Sequence, residues 1–253
     1  MKKIALIGAT GIDWWTSDRK RQFVEDLTPS GYEIGNFYCN YGTHSLESHA
    51  DEAYNAPFIL EQIVAACLQG FDGIVLDCAC DPILDAAREV CTIPVVGPMQ
   101  TSMHLALTLG RKFAIVTVGG KSLAKCMESQ VRREGLDSFF VGVDVIDLPV
   151  LEIAEKPTQA ENELIACAHS LVEQGADVIV LGCTGLSHEV DLQRVMDTVN
   201  IPVLDPLVIG VKTVAMLIES GLSHSKLAYP KPPKKPISEA PSLKGSFDDI
   251  LKE

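Results

Sequence analysis

Gly70-Phe71-Asp72-Gly73-Ile74-Val75-Leu76-Asp77-Cys78 and Gly175-Ala176-Asp177-Val178-Ile179-Val180-Leu181-Gly182-Cys183 are the same sentence written twice, at a constant offset of 105 positions. In each, a glycine closes an apolar-periodic helical segment (Ile63 to Leu68; Ile165 to Val172), an aspartate follows, and an apolar run ends on a cysteine. A short run without polar alternation, bounded by turn residues, is the signature of a parallel strand covered on both faces. An Ile-Pro-Val step follows each copy, at Ile93-Pro94-Val95 and Ile201-Pro202-Val203.

The repeat extends upstream. Lys3-Ile4-Ala5-Leu6-Ile7-Gly8-Ala9-Thr10-Gly11 has its counterpart in Lys112-Phe113-Ala114-Ile115-Val116-Thr117-Val118-Gly119-Gly120. A whole strand-helix unit is therefore used twice. The expected fold is α/β, with two pseudo-symmetric lobes, each a mostly parallel sheet flanked by helices. Residues 1–97 and 206–225 form the first lobe, 98–205 the second, and 226–253 an extended tail marked by Tyr229-Pro230-Lys231-Pro232-Pro233-Lys234-Lys235-Pro236. Ligands of open parallel sheets sit at the carboxyl ends of the strands, so facing lobes would bring Cys78 and Cys183 to opposite walls of one cleft.

The 253 residues are 47% apolar, enough for a substantial core. A net charge of −13 argues against nucleic acid as a partner. No stretch approaches the ~18 apolar residues of a membrane span, and Gly8 and Asp13 interrupt the apolar start before a leader could form. The expectation is a cytoplasmic protein that meets neither nucleic acid nor membrane. Of eight cysteines, 67, 91, 126 and 167 fall in helical patterns as small core residues, whereas 78, 80 and 183 stand at strand ends.

Elsewhere the pattern gives strands at 32–39, 112–117 and 139–146, and helices at 56–69, 99–109, 121–134, 159–174 and 206–221. Pro57 falls in the first turn of its helix. Asp81-Pro82 reads as an N-cap and first-turn pair starting a helix at 82–90 just beyond Cys78. A helix start favours a thiolate, while Asp77 and Asp81 oppose it.

Three chemistries suit the cysteines. They could simply fill space at strand ends. Cys78, Cys80, Cys183 and His188 could be tetrahedral metal ligands, although the spacing lacks the usual paired knuckles. Or two thiols could share a proton transfer, since inverting a carbon beside a carbonyl needs a base on one face and an acid on the other. Free cysteine titrates near ~8.5, within reach of neutral pH. That chemistry needs no metal or cofactor, and no dinucleotide or phosphate-loop fingerprint is present.

The chain resembles the aspartate/glutamate/hydantoin racemase superfamily, and within it the hydantoin racemase branch, from about residue 41 to 236. The likeness rests on Ser45-Leu46-Glu47-Ser48 with Asp51-Glu52-Ala53, Cys78 with Asp81-Pro82 and Ala86-Ala87-Arg88-Glu89, and Pro94-Val95-Val96-Gly97 with Met103-His104-Leu105-Ala106. It continues through Ile146-Asp147-Leu148-Pro149, Leu181-Gly182-Cys183-Thr184-Gly185 and Pro202-Val203-Leu204-Asp205-Pro206. The resemblance places the family's two catalytic cysteines on Cys78 and Cys183 and implies two similar lobes, a small-molecule substrate and a homo-oligomer. Gly8-Ala9-Thr10-Gly11 stands where hydantoin racemases carry an Asn-Pro-Asn-Thr type loop, and Cys80 and Ile83 replace usual glycines.

The leading expectation is a cofactor-independent racemase or epimerase acting on a hydantoin-like or amino-acid-derived substrate. Ala9, Thr10, Thr43, Thr117 and Thr184, with the N–H groups of Ala79, Cys80 and Val118, would hold the substrate and its enolate-like charge. Trp14 and Trp15 suggest an apolar C5 substituent. A decarboxylase or cis–trans isomerase of the same fold, needing one cysteine only, and a non-catalytic ligand- or zinc-binding protein are the alternatives.

Overall fold

The computed structural model describes residues 1–233. Two four-stranded sheets follow one another along the chain. The first comprises β1 (Lys2–Gly8), β2 (Tyr32–Phe37), β3 (Gly73–Asp77) and β4 (Val95–Val96), in the order β2-β1-β3-β4. The second comprises β5 (Phe113–Thr117), β6 (Phe140–Val145), β7 (Val178–Leu181) and β8 (Val203–Leu204), in the equivalent order β6-β5-β7-β8. Every pairing is parallel. The helices between them are α1 (Asp18–Leu27), α2 (His49–Leu68), α3 (Leu84–Val90), α4 (Pro98–Leu109), α5 (Gly120–Arg133), α6 (Pro157–Glu173), α7 (Leu192–Val199) and α8 (Pro206–Glu219). Among the described residues no helix is long and apolar enough to cross a membrane.

Alternate residues of a strand point to opposite faces, and the apolar runs serve both. Ala5 and Ile7 of β1, with Ile74 and Leu76 of β3, enter a core that continues into the second sheet through Ile115, Val180 and Leu181. Ile4, Leu6 and Val75 face the other way, under Val24 of α1 and Leu207, Val211 and Val214 of α8. Gly73 lets α8 lie close, because a Cβ there would come within 2.6 Å of Val214 Cγ2. Thus the last helix returns to the first sheet, and α4 packs against both α8 and β7.

Two local expectations are corrected. α2 begins at His49, not 56, because Ser48 Oγ accepts from the N–H of Asp51 as an N-cap. Pro57 consequently lies inside the helix. Asp81 does not start α3. Asp81 and Ile83 both adopt positive φ, at 48° and 50°, so the chain turns tightly after Cys78 and becomes helical only at Leu84. The Asp81 carboxylate points instead to α4, accepting from Met99 N at 3.0 Å and Gln100 N at 2.7 Å. Burial of this cap raises its pKa to about 7.

Beyond α8 the chain is pinned to the first half. Lys226 Nζ donates to the carbonyls of Arg88 and Cys91 at the end of α3, and Arg88 donates to the Tyr229 hydroxyl at 3.2 Å. The rest of the expected tail, 234–253, lies outside the described residues. His224 Nε2 accepts the Val95 N–H at 2.8 Å, a bond that requires the neutral ring. Burial, then the charge of Arg88, brings its pKa down to about 4. A folded pKa below the unfolded ~6.5 contributes stability above pH 6.5 that is lost as pH falls towards 4. In melting curves, the advantage of the native chain over His224→Gln should therefore shrink through that window; a pH-independent difference would deny the bond this role.

Candidate active site

The register of the first sheet sets Gly8 opposite Asp77, so the loop after β1 lies beside Cys78. In the second, Val116 pairs with Leu181, which brings the end of β5 beside Cys183. The two strand ends share a cavity of about 310 Å³ whose wall comes from both halves. Ala9, Thr10, Asp77, Cys78, Ala79 and Cys80 line it from the first half, with Trp14, Ser17 and Lys20 of the following segment. Leu123, Val150, Ile153, Gly182, Cys183 and Thr184 line it from the second, with His188 and Glu189.

Of the residues expected at the site, Cys78, Cys183, Ala9, Thr10, Ala79, Cys80 and Thr184 are on this wall, whereas Thr43, Thr117 and Val118 are not. Thr117 is fully buried, and its hydroxyl donates to the Gly182 carbonyl at 3.1 Å. Gly182 accommodates it, since a Cβ there would lie 2.6 Å from Thr117 Cβ. Thr43 is bound from α2: Asn55 Nδ2 donates to its hydroxyl at 3.0 Å and to the Ala9 carbonyl at 2.9 Å, and Asn55 Oδ1 accepts the Thr43 N–H at 2.9 Å. One buried amide thereby ties the loop after β1 to the loop after β2. Val118 is wholly buried in the core.

The cysteines differ in setting. Cys183 is 9% exposed, and burial pushes its thiol up to about 12, against the pull of hydrogen bonds from the Gly185 and Leu186 N–H groups. Cys78, on the wall of the same cavity, acts on it in the same upward direction. Cys78 is half-buried. Interaction with the Cys78 sulfur, and then burial, raises the Cys80 thiol well above its ordinary value. Cys80 therefore keeps its proton. Cys67 and Cys91 lie elsewhere, with sulfurs 3.1 Å apart.

The sequence reading overlooked the ion pair beneath the cysteines. Lys20 Nζ donates to Asp77 Oδ2 at 2.6 Å, with side-chain exposures of 3% and 8%. Asp77 therefore does not stand as an uncompensated negative charge beside Cys78. Lys20 was hidden as one of four charged residues opening α1, Asp18 to Arg21; its only signal is spacing that turns it inward with Val24, the other buried residue of that helix. The His188 side chain is 5% exposed, and desolvation, then Lys20, lowers its pKa to about 4. Among the described residues no three His, Cys, Asp or Glu side chains are grouped to hold a metal ion.

Two like α/β halves each place a thiol, at the carboxyl end of a parallel strand, on the wall of one small cavity, which is where open parallel sheets hold their ligands. Residues 18–214 match the model of the Asp/Glu/Hydantoin racemase family. The chain is 37% identical to a hydantoin racemase of Rhizobium meliloti over 74% of this chain and 78% of that protein. It is 32% identical to a hydantoin racemase of Pseudomonas sp. (strain NS671) over 77% of each. The solved allantoin racemase from Klebsiella pneumoniae superposes with a TM-score of 0.84 at 31% identity, covering 94% of this chain and 97% of that one. The chain belongs to the Asp/Glu/hydantoin racemase family, and it is an isomerase of the racemase type.

Proposed function

We propose that the protein racemises a hydantoin-type ring at C5 by passing a proton between Cys78 and Cys183. The observation that carries this is the placement of both thiols, at equivalent strand ends of two like halves, on the wall of one cavity. One sulfur takes the C5 proton from its face while the other delivers a proton to the opposite face. Exchanging the two roles runs the reaction backwards.

Burial holds Cys183 in its thiol form in the resting site, so it is the sulfur placed to deliver a proton. After turnover the charge resides on Cys183, where the Gly185 and Leu186 N–H groups receive it. Ala9, Thr10, Ala79, Cys80 and Thr184 on the wall hold the ring and the oxygen that gains charge as the proton leaves. The hydantoin ring is favoured over a free amino acid by the relatives, which are named for hydantoin and allantoin.

Polarimetry tests the reading. A single enantiomer of a 5-substituted hydantoin should lose its rotation, while L-aspartate and L-glutamate keep theirs. Iodoacetamide should abolish the activity by alkylating both sulfurs, and substrate should slow that loss. Equal turnover of aspartate, or full activity after alkylation of both, would end the proposal.

A further inference from the structure

Cys67 and Cys91 take no part in the chemistry above, yet their sulfurs lie 3.1 Å apart. Both are free thiols, and filling a core does not require two sulfurs to meet. Cys67 stands in the last turn of α2, and Cys91 caps α3, its N–H donating to the Ala87 carbonyl. Lys226, from the segment beyond α8, donates to the Cys91 carbonyl. The backbone at Cys91 is held on both sides, which keeps its sulfur beside α2. A disulfide holds its sulfurs at about 2.05 Å, so a closure of about 1 Å converts this contact into a bond.

The two sulfurs are not equivalent. Cys91 is 2% exposed, whereas Cys67 is partly exposed and is followed by Leu68, 83% exposed at the end of the helix. A reagent from solvent therefore meets Cys67 first. The hydrogen bond with Cys91 brings the Cys67 thiol below its ordinary pKa, against the opposing effect of burial, and the thiolate is the form that attacks. Cys91 is shifted the other way: the hydrogen bond with Cys67, then burial, raise it, while Lys226 lowers it. Once Cys67 is capped it carries no charge, so the largest cause holding the Cys91 proton disappears while Lys226 remains.

We propose that Cys67 and Cys91 form a dithiol modification site, closed by a low-molecular-weight disulfide into a bond that clasps the segment carrying Cys78. The Cys67 thiolate attacks one sulfur of the reagent, breaks its S–S bond and expels a thiolate, which takes up the proton that Cys67 released. Cys91 then attacks Cys67 Sγ, breaks the mixed disulfide and expels the second thiolate, which takes the Cys91 proton. The two protein sulfurs are oxidised, the reagent is reduced to two thiols, and excess dithiol reverses both steps. The closed loop spans 24 positions and contains β3, Cys78 and the turn at Asp81 and Ile83. Closing it removes freedom from the unfolded chain and so stabilises the folded one.

The test incubates the native full-length chain with glutathione disulfide, alkylates the remaining thiols with iodoacetamide and maps the peptides by mass spectrometry without reduction. A Cys67–Cys91 crosslink should form, and the oxidised protein should melt about 5–15 °C above the same protein treated with dithiothreitol. Cys91→Ala should stop at a glutathione on Cys67, and Cys67→Ala should leave Cys91 unmodified. Absence of the crosslink in folded protein under excess reagent overturns the site, as does a crosslink that forms only in denaturant. A crosslink that fails to raise the melting temperature overturns the clasp. Should a variant not fold, the peptide map and melting curves of the native chain decide.

Discussion

Cys78→Ser and Cys183→Ser proteins should each racemise at least about a hundredfold more slowly than the native enzyme, the scale of losing one proton carrier. Each should nevertheless exchange the C5 proton of one enantiomer with solvent. Serine keeps the shape but is a far weaker base than a thiolate at neutral pH, so one face loses its chemistry and the other retains it. In heavy water the surviving cysteine lifts the proton from the enantiomer that presents it and returns deuterium on the same side. The two variants should therefore label opposite enantiomers without inverting them, as followed by mass spectrometry after chiral separation. Labelling of the same enantiomer by both would show that the sulfurs do not oppose each other. Native racemisation by either variant would point to one-cysteine chemistry, as in a decarboxylase or cis–trans isomerase.

Lys20→Met should be the most damaging single substitution of a charged residue outside the cysteines. It removes the only partner, among the described residues, of a carboxylate oxygen whose side chain is 8% exposed, and leaving one half of a buried ion pair costs about 3–5 kcal/mol. At roughly 2–4 °C per kcal/mol for a chain of this size, the melting temperature should fall on the order of 10 °C. Changing Asp77→Leu as well removes the orphaned charge and should restore most of the loss. A single variant that melts within about 2 °C of the native protein would mean that water reaches the pair.

The strand-end cysteines and the loops beside them were legible because their signal is local and duplicated. An apolar run closed by glycine and aspartate specifies a doubly covered strand wherever it occurs, and a second copy at a fixed offset specifies a second half built the same way. From those two facts follow the parallel sheets and the like strand orders. The hydroxyls were less legible. Thr10 and Thr184 reach the cavity while Thr117, at an equally suggestive strand end, does not. The difference lies in its neighbour: Gly182 has no Cβ, so the Thr117 side chain fills that space and bonds the glycine's own carbonyl.

The chain by itself therefore determined the duplicated architecture and the two sulfurs. Only the tertiary structure decided what stands around them. Asp81 carries the marks of a helix start, yet positive backbone angles at residues 81 and 83 turn it to cap α4, 18 residues away. Lys20 and Asp77 are separated by 57 positions, and neither is unusual where it stands. Their pairing depends on how α1 packs over the end of β3. Strand formation and thiol placement are written in neighbouring residues, whereas the partner of a buried charge is fixed by which elements the core brings together.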